Sequence, residues 1–79
     1  MPQSHVLIVD DEDLYRRALE RILKRQGHTI SSACNGAEAL EFITSETVDL
    51  VLCDIKMPGM NGLEVISRIH EIRPDLPCI

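Results

Sequence analysis

Two aliphatic segments constrain the fold of this chain most. Residues 5–9 (HVLIV) and 50–53 (LVLC) show no alternation of polar and apolar side chains after the initial histidine. Such continuous runs are typical of parallel strands that are covered on both faces of a sheet. Each run is followed directly by an aspartate, Asp10 and Asp54. The sequence therefore predicts a parallel sheet in which two strands end in carboxylates.

Helical patterns separate the strand-like segments. The first helix follows the acidic residues 10–13, and Gly27 marks its end. The second spans residues 37–46, and the third spans about 63–73, because the residue before Pro74 avoids the helical region. Apolar side chains at three- and four-residue spacings predict the buried face of each helix. These are Leu14, Ala18, Leu19, Ile22 and Leu23 in the first, Ala39, Leu40 and Ile43 in the second, and Leu63, Ile66 and Ile69 in the third.

Two less apolar segments complete the pattern. Residues 29–33 (TISSA) predict a strand at the edge of the sheet, and residues 76–79 (LPCI) resemble the start of a fourth strand. Alternating strands and helices with short connections predict right-handed βαβ units and an α/β fold with a parallel sheet. Ligands of such sheets bind beyond the carboxyl ends of the strands.

The aspartates at the strand ends form the candidate site. Taken singly, the acids 10–13 would cap a helix and Asp54 would be a turn residue. If the first and third strands are neighbours, however, Asp10, Asp11 and Asp54 meet at one edge. A carboxylate pair at ~4 Å repels by roughly 4 kcal/mol at an effective dielectric of about 20. A divalent cation removes this repulsion, and Mg²⁺ prefers such oxygen ligands.

A carboxylate beside Mg²⁺ is also a potential nucleophile. Attack of Asp54 on phosphorus would form an aspartyl phosphate, and the metal would neutralise the developing charge. A dianionic phosphoryl group needs that ion, since the carboxylates alone would repel it. The residues thus predict a Mg²⁺-dependent phosphoacceptor site at Asp54.

Composition excludes several other functions. The formal net charge is −5, which argues against a nucleic-acid-binding surface in this segment. The one basic cluster is interpreted as a solvated helix face: Arg16, Arg17, Arg21, Lys24 and Arg25. Three cysteines without CxxC spacing are typical of small buried residues in a reducing compartment, which predicts a cytoplasmic protein. The sequence shows neither a leader pattern nor an apolar run long enough to cross a membrane.

Three segments resemble the receiver domain of bacterial two-component response regulators. They are residues 7–12 (LIVDDE), 35–40 (NGAEAL) and 54–63 (DIKMPGMNGL), and residues 73–79 resemble the family's approach to its fourth strand. The resemblance implies a flavodoxin-like doubly wound parallel sheet of strand order 2-1-3-4-5. Residues 1–79 would form a single partial receiver domain with three strands, three helices and the first residues of a fourth strand.

The resemblance also implies roles for individual residues. Asp54 would accept the phosphoryl group, Asp11 and the main-chain carbonyl of Lys56 would bind Mg²⁺ directly, and Asp10 would act mostly through a metal-bound water. Pro58 and Gly59 would shape the loop after the acceptor. Asn61 stands where many relatives have aspartate, with little expected consequence. The domain would be a signalling module and not an enzyme, at most assisting its own phosphorylation and dephosphorylation.

Partners follow from the same resemblance. A histidine kinase or phosphotransfer domain would dock on the first helix, which carries Arg16 and Arg17. The family's Ser/Thr and Lys that contact the phosphoryl group would lie beyond Ile79, so a receiver-like interaction module that does not switch is an alternative. The incomplete sheet would leave apolar surface exposed, which predicts either marginal stability or a homodimer or swapped dimer formed through that sheet.

Two further α/β functions are weaker alternatives. A Mg²⁺-dependent phosphatase of the haloacid-dehalogenase type also uses an aspartate at a strand end, but its second acid corresponds to Lys56 here. A nucleotide- or flavin-binding domain would need a glycine-rich phosphate loop, and no such loop follows any predicted strand. The loop after the first predicted strand is acidic instead, and its negative charge is unsuited to binding a phosphate group.

Overall fold

Strands and helices alternate through residues 4–79, the part of the chain that the structure, a computed structural model, describes. The elements are β1 (His5–Val9), α1 (Asp13–Arg25), β2 (Thr29–Ala33), α2 (Gly36–Ser45), β3 (Leu50–Cys53) and α3 (Gly62–Ile72). This order confirms the predicted α/β alternation. It places all short connections between a strand and the next helix at one edge of the sheet, where parallel α/β folds bind ligands.

The three strands form a parallel sheet in the order β2-β1-β3. Val9 at the end of β1 is paired with Ala33 of β2 and with Cys53 of β3. The predicted neighbourhood of the first and third strands is therefore confirmed, and β2 lies at an edge as expected. Beyond β3, Cys78 forms one parallel bridge with Val51. The predicted start of a fourth strand is confirmed to the extent of this bridge.

The main hydrophobic core lies between the sheet and the helices α2 and α3. Ala39 and Ile43 of α2 and Val65 and Ile69 of α3 are buried there against Leu7, Val9 and Val51 of the strands. Leu63, predicted to face inward, is 64% exposed. Gly62, Val65 and Ile69 define the buried stripe of α3 at spacings of three and four residues, so Leu63 is rotated about 100° away from it.

Among residues 4–79, α1 is the one helix on the opposite face of the sheet, and none of its residues is buried. Its apolar stripe is only partly covered, which agrees with the expectation that an incomplete sheet leaves apolar surface exposed. Leu14 is 81% exposed and Ile22 is 54% exposed, while Leu23 is half-buried. Val6 and Ile8 of β1 are nevertheless buried beneath this helix. The helix thus covers β1 but leaves its own outer apolar side chains without a partner among the described residues.

Local signals explain where the helices begin and end. The side chains of Asn35 and Asn61 accept hydrogen bonds from the amides of Glu38 and Glu64, at 2.8 and 2.9 Å. Because both asparagines are N-caps, α2 and α3 each begin one residue earlier than predicted, at a glycine. Gly27 adopts a φ of 91° after α1, which suits a glycine that terminates a helix.

Candidate metal centre

The candidate site is built on the carboxyl ends of the neighbouring strands β1 and β3. Asp10 and Asp54 each follow one member of the Val9–Cys53 pair, so they leave neighbouring strands side by side. The amide of Asp54 donates to the carbonyl of Val9 at 2.9 Å, and the amide of Asp10 donates to the carbonyl of Ala33 at 3.1 Å. The sheet ladder therefore continues one residue beyond the strands and orients both aspartates.

Three carboxylates converge at this edge. One oxygen from each of Asp10, Asp11 and Asp54 lies within 4.8 Å of the other two. Asp10 and Asp54 are half-buried, whereas Asp11 is exposed. The predicted convergence of the three side chains is thus present in the fold. Their net negative charge in a small space is unfavourable unless a cation or protons compensate it.

The oxygen donors fit a magnesium ion. Mg²⁺ takes six oxygen ligands at about 2.0–2.1 Å, which implies oxygen–oxygen separations of about 3 Å between neighbouring ligands and about 4.2 Å between opposite ones. The spread of up to 4.8 Å is close to the larger value. A small movement, or a water in place of one direct contact, closes the difference. Partial exposure of the cluster leaves room for the waters that Mg²⁺ retains.

The loop between β1 and α1 is held by its own hydrogen bonds. The amide of Glu12 donates to Oδ1 of Asp10 at 2.9 Å, and Nη1 of Arg16 donates to the main-chain carbonyl of Asp10 at 2.7 Å. Arg16 also pairs with the carboxylate of Asp13. Sequence reasoning placed Arg16 on a solvated helix face, but its side chain is only 16% exposed. The one sequence signal for this contact was the spacing, since Arg16 is a basic residue six positions after the acid that follows the first strand.

The loop between β3 and α3 stays close to Asp54. The amide nitrogen of Lys56 lies 3.4 Å from Oδ1 of Asp54, and Met57 is buried as an anchor. Gly62 donates its amide to the carbonyl of Ile55 at 2.8 Å. A Cβ at Gly62 would lie 2.1 Å from the carbonyl oxygen of Asp54, so only glycine permits this approach. Sequence reasoning missed this constraint and treated Gly62 only as part of a motif.

The charged cluster acts on the neighbouring thiol. Burial, followed by the charges of Cys78, Asp54 and Asp10, raises the pKa of Cys53 to about 11. Cys34, Cys53 and Cys78 are free and half-buried, so the expectation that they are buried small residues was only partly right. They belong to no metal-binding group among residues 4–79. The site is therefore a carboxylate site and not a thiolate one.

An apolar depression adjoins the carboxylates on the α1 face. It is lined beside Asp10 and Asp54 by Ile8, Leu19, Leu52 and Ile79. Leu52 is half-buried although β3 reads as a strand covered on both faces. No helix within residues 4–79 is long and apolar enough to span a membrane.

The fold and the site define the structural class of the protein. Parallel strands in the order 2-1-3, alternating helices and acids at the carboxyl edge are those of the flavodoxin-like receiver fold. The crystal structure of the response regulator TrrA from Thermotoga maritima in complex with Mg(2+)-BeF matches with a TM-score of 0.92 and 41% identity, over 96% of this chain and 66% of that one. A second structure, of the histidine kinase ThkA in complex with TrrA, matches with a TM-score of 0.91.

The family follows from sequence comparison. The family model of the response regulator receiver domain matches residues 6–79, and the chain belongs to this family. It is 44% identical over 79 residues to the DNA-binding transcriptional regulator NtrC of Escherichia coli K12, and 42% identical over 77 residues to the probable transcriptional regulator ycf27 of Cyanidium caldarium. The matches cover 100% and 98% of this chain. The chain spans 17% of NtrC and 30% of ycf27.

Proposed function

We propose that this chain is the phosphoacceptor module of a two-component response regulator, with Asp54 as the acceptor and Mg²⁺ as the cofactor. The supporting observation is the approach of Asp10, Asp11 and Asp54 to within 4.8 Å at the carboxyl edge of the sheet. In this proposal the three carboxylates and the main-chain carbonyl of Lys56 hold the ion, Asp10 mostly through a water. The output function regulated by the phosphoryl group lies outside these residues.

The chemistry assigns one task to each residue. An oxygen of Asp54 attacks phosphorus, a P–O bond to the carboxylate forms, and the bond from phosphorus to the donor histidine breaks with the electron pair going to the imidazole nitrogen. When bound, Mg²⁺ neutralises charge on the transferred oxygens. Asp10, with Oδ1 engaged by the Glu12 amide, keeps its second oxygen for the ion or its water. The ladder bond from Asp54 to Val9 holds the nucleophile in place. The domain would at most assist its own phosphorylation and dephosphorylation.

Labelling by a small phosphodonor tests the proposal. Acetyl phosphate with Mg²⁺ is expected to add one phosphoryl group to the wild-type chain, detected by intact mass. Asp54→Asn should abolish the adduct, and omission of Mg²⁺ should prevent it. Glu12→Gln is the matched control, because Glu12 is an exposed acid of the same loop outside the carboxylate group. An adduct that persists in Asp54→Asn would refute the assignment.

Metal binding gives an independent test of the same site. Mg²⁺ should raise the melting temperature of the wild-type chain, since a ligand of the folded state alone stabilises it. Without metal, Asp54→Asn should be more stable than wild type because one repulsive charge is gone, and Mg²⁺ should stabilise it little. Equal stabilisation of both chains by Mg²⁺ would contradict a metal site at Asp54.

We also propose that a histidine kinase or phosphotransfer domain docks on α1. The helix packs on β1 and β2, and a shallow depression on it is lined by three basic residues and one acid: Arg17, Arg21, Lys24 and Glu20. Exposed apolar side chains stand on the same helix, with Leu14 81% exposed. A surface that combines these features suits a helical partner with acidic and apolar residues. Arg16, in contrast, is engaged by the loop and contributes less to such a surface.

Charge reversal separates docking from chemistry. The double variant Arg17→Glu with Arg21→Glu should slow phosphoryl transfer from an autophosphorylated histidine kinase while leaving labelling by acetyl phosphate unchanged. Arg68→Glu is the control, because this arginine is 53% exposed on α3. If the double variant and the control slow kinase transfer equally, docking on α1 is refuted.

A second candidate function is a receiver-like interaction module that does not switch, acting as a homodimer or a swapped dimer. The observation in its favour is the exposed apolar surface of α1 and the depression lined by Ile8, Leu19, Leu52 and Ile79. Light scattering during size-exclusion chromatography tests it. A dimer that persists at low micromolar concentration supports this candidate, and a well-folded dilute monomer refutes it.

The remaining expectations form part of the same proposal. Residues 1–79 would be one partial receiver domain acting in the cytoplasm, a location that three free cysteines support because disulfides are rare there. Fluorescence microscopy of the tagged parent protein tests the location, and a signal outside the cytoplasm would contradict it. Limited proteolysis of the chain tests for one cooperative unit.

A further inference from the structure

We infer that Arg16 is a positioning residue of the carboxylate site: its guanidinium fixes the Asp10–Asp11 peptide and thereby the direction in which Asp11 presents its carboxylate to Mg²⁺. This inference rests on the proposed function, because it concerns the same metal site. It goes beyond that proposal by assigning a task to a side chain that is neither a carboxylate nor a ligand.

The guanidinium of Arg16 contacts two groups of the β1–α1 region. Nη1 of Arg16 donates to the carbonyl oxygen of Asp10 at 2.7 Å, and Nη2 pairs with the carboxylate of Asp13. The side chain is 16% exposed, whereas Asp13 is 68% exposed. A planar guanidinium presents several N–H donors in fixed directions, so it can contact two groups of one loop at once. Arg16 therefore ties the start of the loop to its end.

Arg16 holds the peptide group between Asp10 and Asp11. Asp10 donates its amide to Ala33 at 3.1 Å, and its carbonyl accepts from Arg16. The main chain of Asp10 is thus fixed on both sides. The Asp10 carbonyl belongs to the same peptide plane as the amide of Asp11, so holding it sets the backbone direction from which the Asp11 side chain departs.

The position of the Asp11 carboxylate depends on the conformation of its backbone. Asp10 accepts from Glu12, and Asp54 has neighbours in the β3–α3 loop. The exposed side chain of Asp11 has no protein hydrogen-bond partner among residues 4–79. It is therefore the member of the trio whose position depends most on the main chain. Without the Arg16 contact, the Asp10–Asp11 peptide gains freedom, and binding a metal must then cost additional ordering entropy.

Charge alone predicts the opposite effect of losing Arg16. A cation near three carboxylates lowers their attraction for Mg²⁺, so its removal should tighten metal binding if electrostatics were its only contribution. The ion pair with Asp13 would be worth little by itself at the surface. A loss of metal affinity on removing Arg16 therefore identifies positioning, because neither the charge nor the ion pair explains it.

The test compares two neighbouring arginines. Arg16→Gln and Arg17→Gln remove the same charge from adjacent positions of α1, but Arg17 is exposed and has no hydrogen bond to the loop among the described residues. Isothermal titration with Mg²⁺ should show about tenfold weaker binding for Arg16→Gln, the scale of supporting residues around metal ligands. Arg17→Gln should bind within about twofold of wild type or more tightly, as expected for a screened exposed charge.

A second measurement excludes a purely structural explanation. Thermal unfolding without metal reports any loss of global stability, and amide hydrogen exchange at Asp11 and Glu12 reports the freedom of the loop. We expect faster exchange at these two amides in Arg16→Gln and little change elsewhere. Should the glutamine variant fail to fold, Arg16→Lys takes its place, since it keeps the charge but not the planar fork, and it should also bind Mg²⁺ more weakly than wild type.

The outcomes are distinguishable. If wild type binds no Mg²⁺, the proposed function fails and the inference fails with it. If wild type binds Mg²⁺ and Arg16→Gln binds as tightly as Arg17→Gln, the metal site stands and the assignment of Arg16 is wrong. If Arg16→Gln binds more weakly only in proportion to an unfolded fraction measured in the same buffer, Arg16 is structural and the inference is again overturned.

Discussion

The two faces of the sheet are built from the same kinds of residue but are packed differently. On one face, α2 and α3 contact each other and the strands, and Ile43, Val65 and Ile69 are fully buried. On the other face, α1 packs alone, and Leu14, Leu19 and Ile22 remain exposed to between 36% and 81%. An apolar stripe on a helix therefore provides only the capacity for burial. A second helix beside it is what turns that capacity into a core.

Truncation of matched isoleucines should give the largest difference between the faces. Ile69→Ala on α3 removes a side chain that is 0% exposed and should cost about 2–5 kcal/mol of unfolding free energy, through lost burial and a cavity. Ile22→Ala on α1 removes one that is 54% exposed and should change stability by less than about 0.5 kcal/mol. Urea unfolding of both variants measures the contrast. Similar losses would mean that the α1 face is packed in solution.

Substitution of Gly62 should have the next largest effect. A Cβ there would meet the backbone of Asp54 and Ile55, which cannot move as a flexible side chain can, so Gly62→Ala should cost about 1–3 kcal/mol. It should also weaken Mg²⁺ binding, because the strain falls on Asp54, which carries one of the three clustered carboxylates. The control is Gly59→Ala in the same loop, where a Cβ would have no atom within 4 Å. Its φ of 81° lies in the left-handed region, which costs a residue with a Cβ about 1–2 kcal/mol, so Gly59→Ala should lose stability without losing Mg²⁺ affinity.

If Gly62→Ala and Gly59→Ala lose equal stability and equal metal affinity, the close approach of α3 to β3 is not what constrains position 62.

The pH dependence of stability should show the smallest effect. Burial chiefly raises the pKa of Cys53 from 9.0 to about 11. The folded thiol therefore holds its proton more tightly than the unfolded one, and the resulting stability is present below pH 9. It should be lost as the pH rises from about 9 to about 11, since the unfolded thiol ionises first. Half-exposure of this thiol keeps the effect modest.

Urea midpoints between pH 8 and pH 11 measure this loss, with Cys53→Ala as the reference. The variant should show a flatter profile across the window than wild type. Parallel profiles for wild type and Cys53→Ala would contradict the prediction. They would show that the Cys53 thiol is well solvated in the folded chain and adds nothing to the pH dependence of stability.

Much of the architecture could be predicted from the residues because it depends on local pattern. Continuous aliphatic runs predicted β1 and β3, lower hydrophobicity predicted β2 at the edge, and Gly27 predicted the end of α1; the fold confirms each. The convergence of Asp10, Asp11 and Asp54 followed from strand adjacency alone. Their roles as ligands and acceptor stay predictions until the labelling and titration experiments are done.

Other features could not be predicted because they depend on distance in space. The exposure of Leu63 depends on which stripe of α3 faces the sheet, and the structure buries Val65 where the sequence pattern favoured Leu63. The exposure of the α1 stripe depends on what else packs against that face. The need for glycine at position 62 depends on a backbone oxygen eight residues earlier in the chain.

The order of the elements, the parallel sheet and the edge at which the acids meet follow from the residues alone, since hydrophobic periodicity and strand direction are properties of short segments. The folded chain was needed to show which apolar residues are buried and that Arg16 turns back onto the carbonyl of Asp10. The physical reason is that burial and side-chain hydrogen bonds require groups from separate elements to meet. Which of these groups come into contact depends on how the elements pack together and not on any one segment.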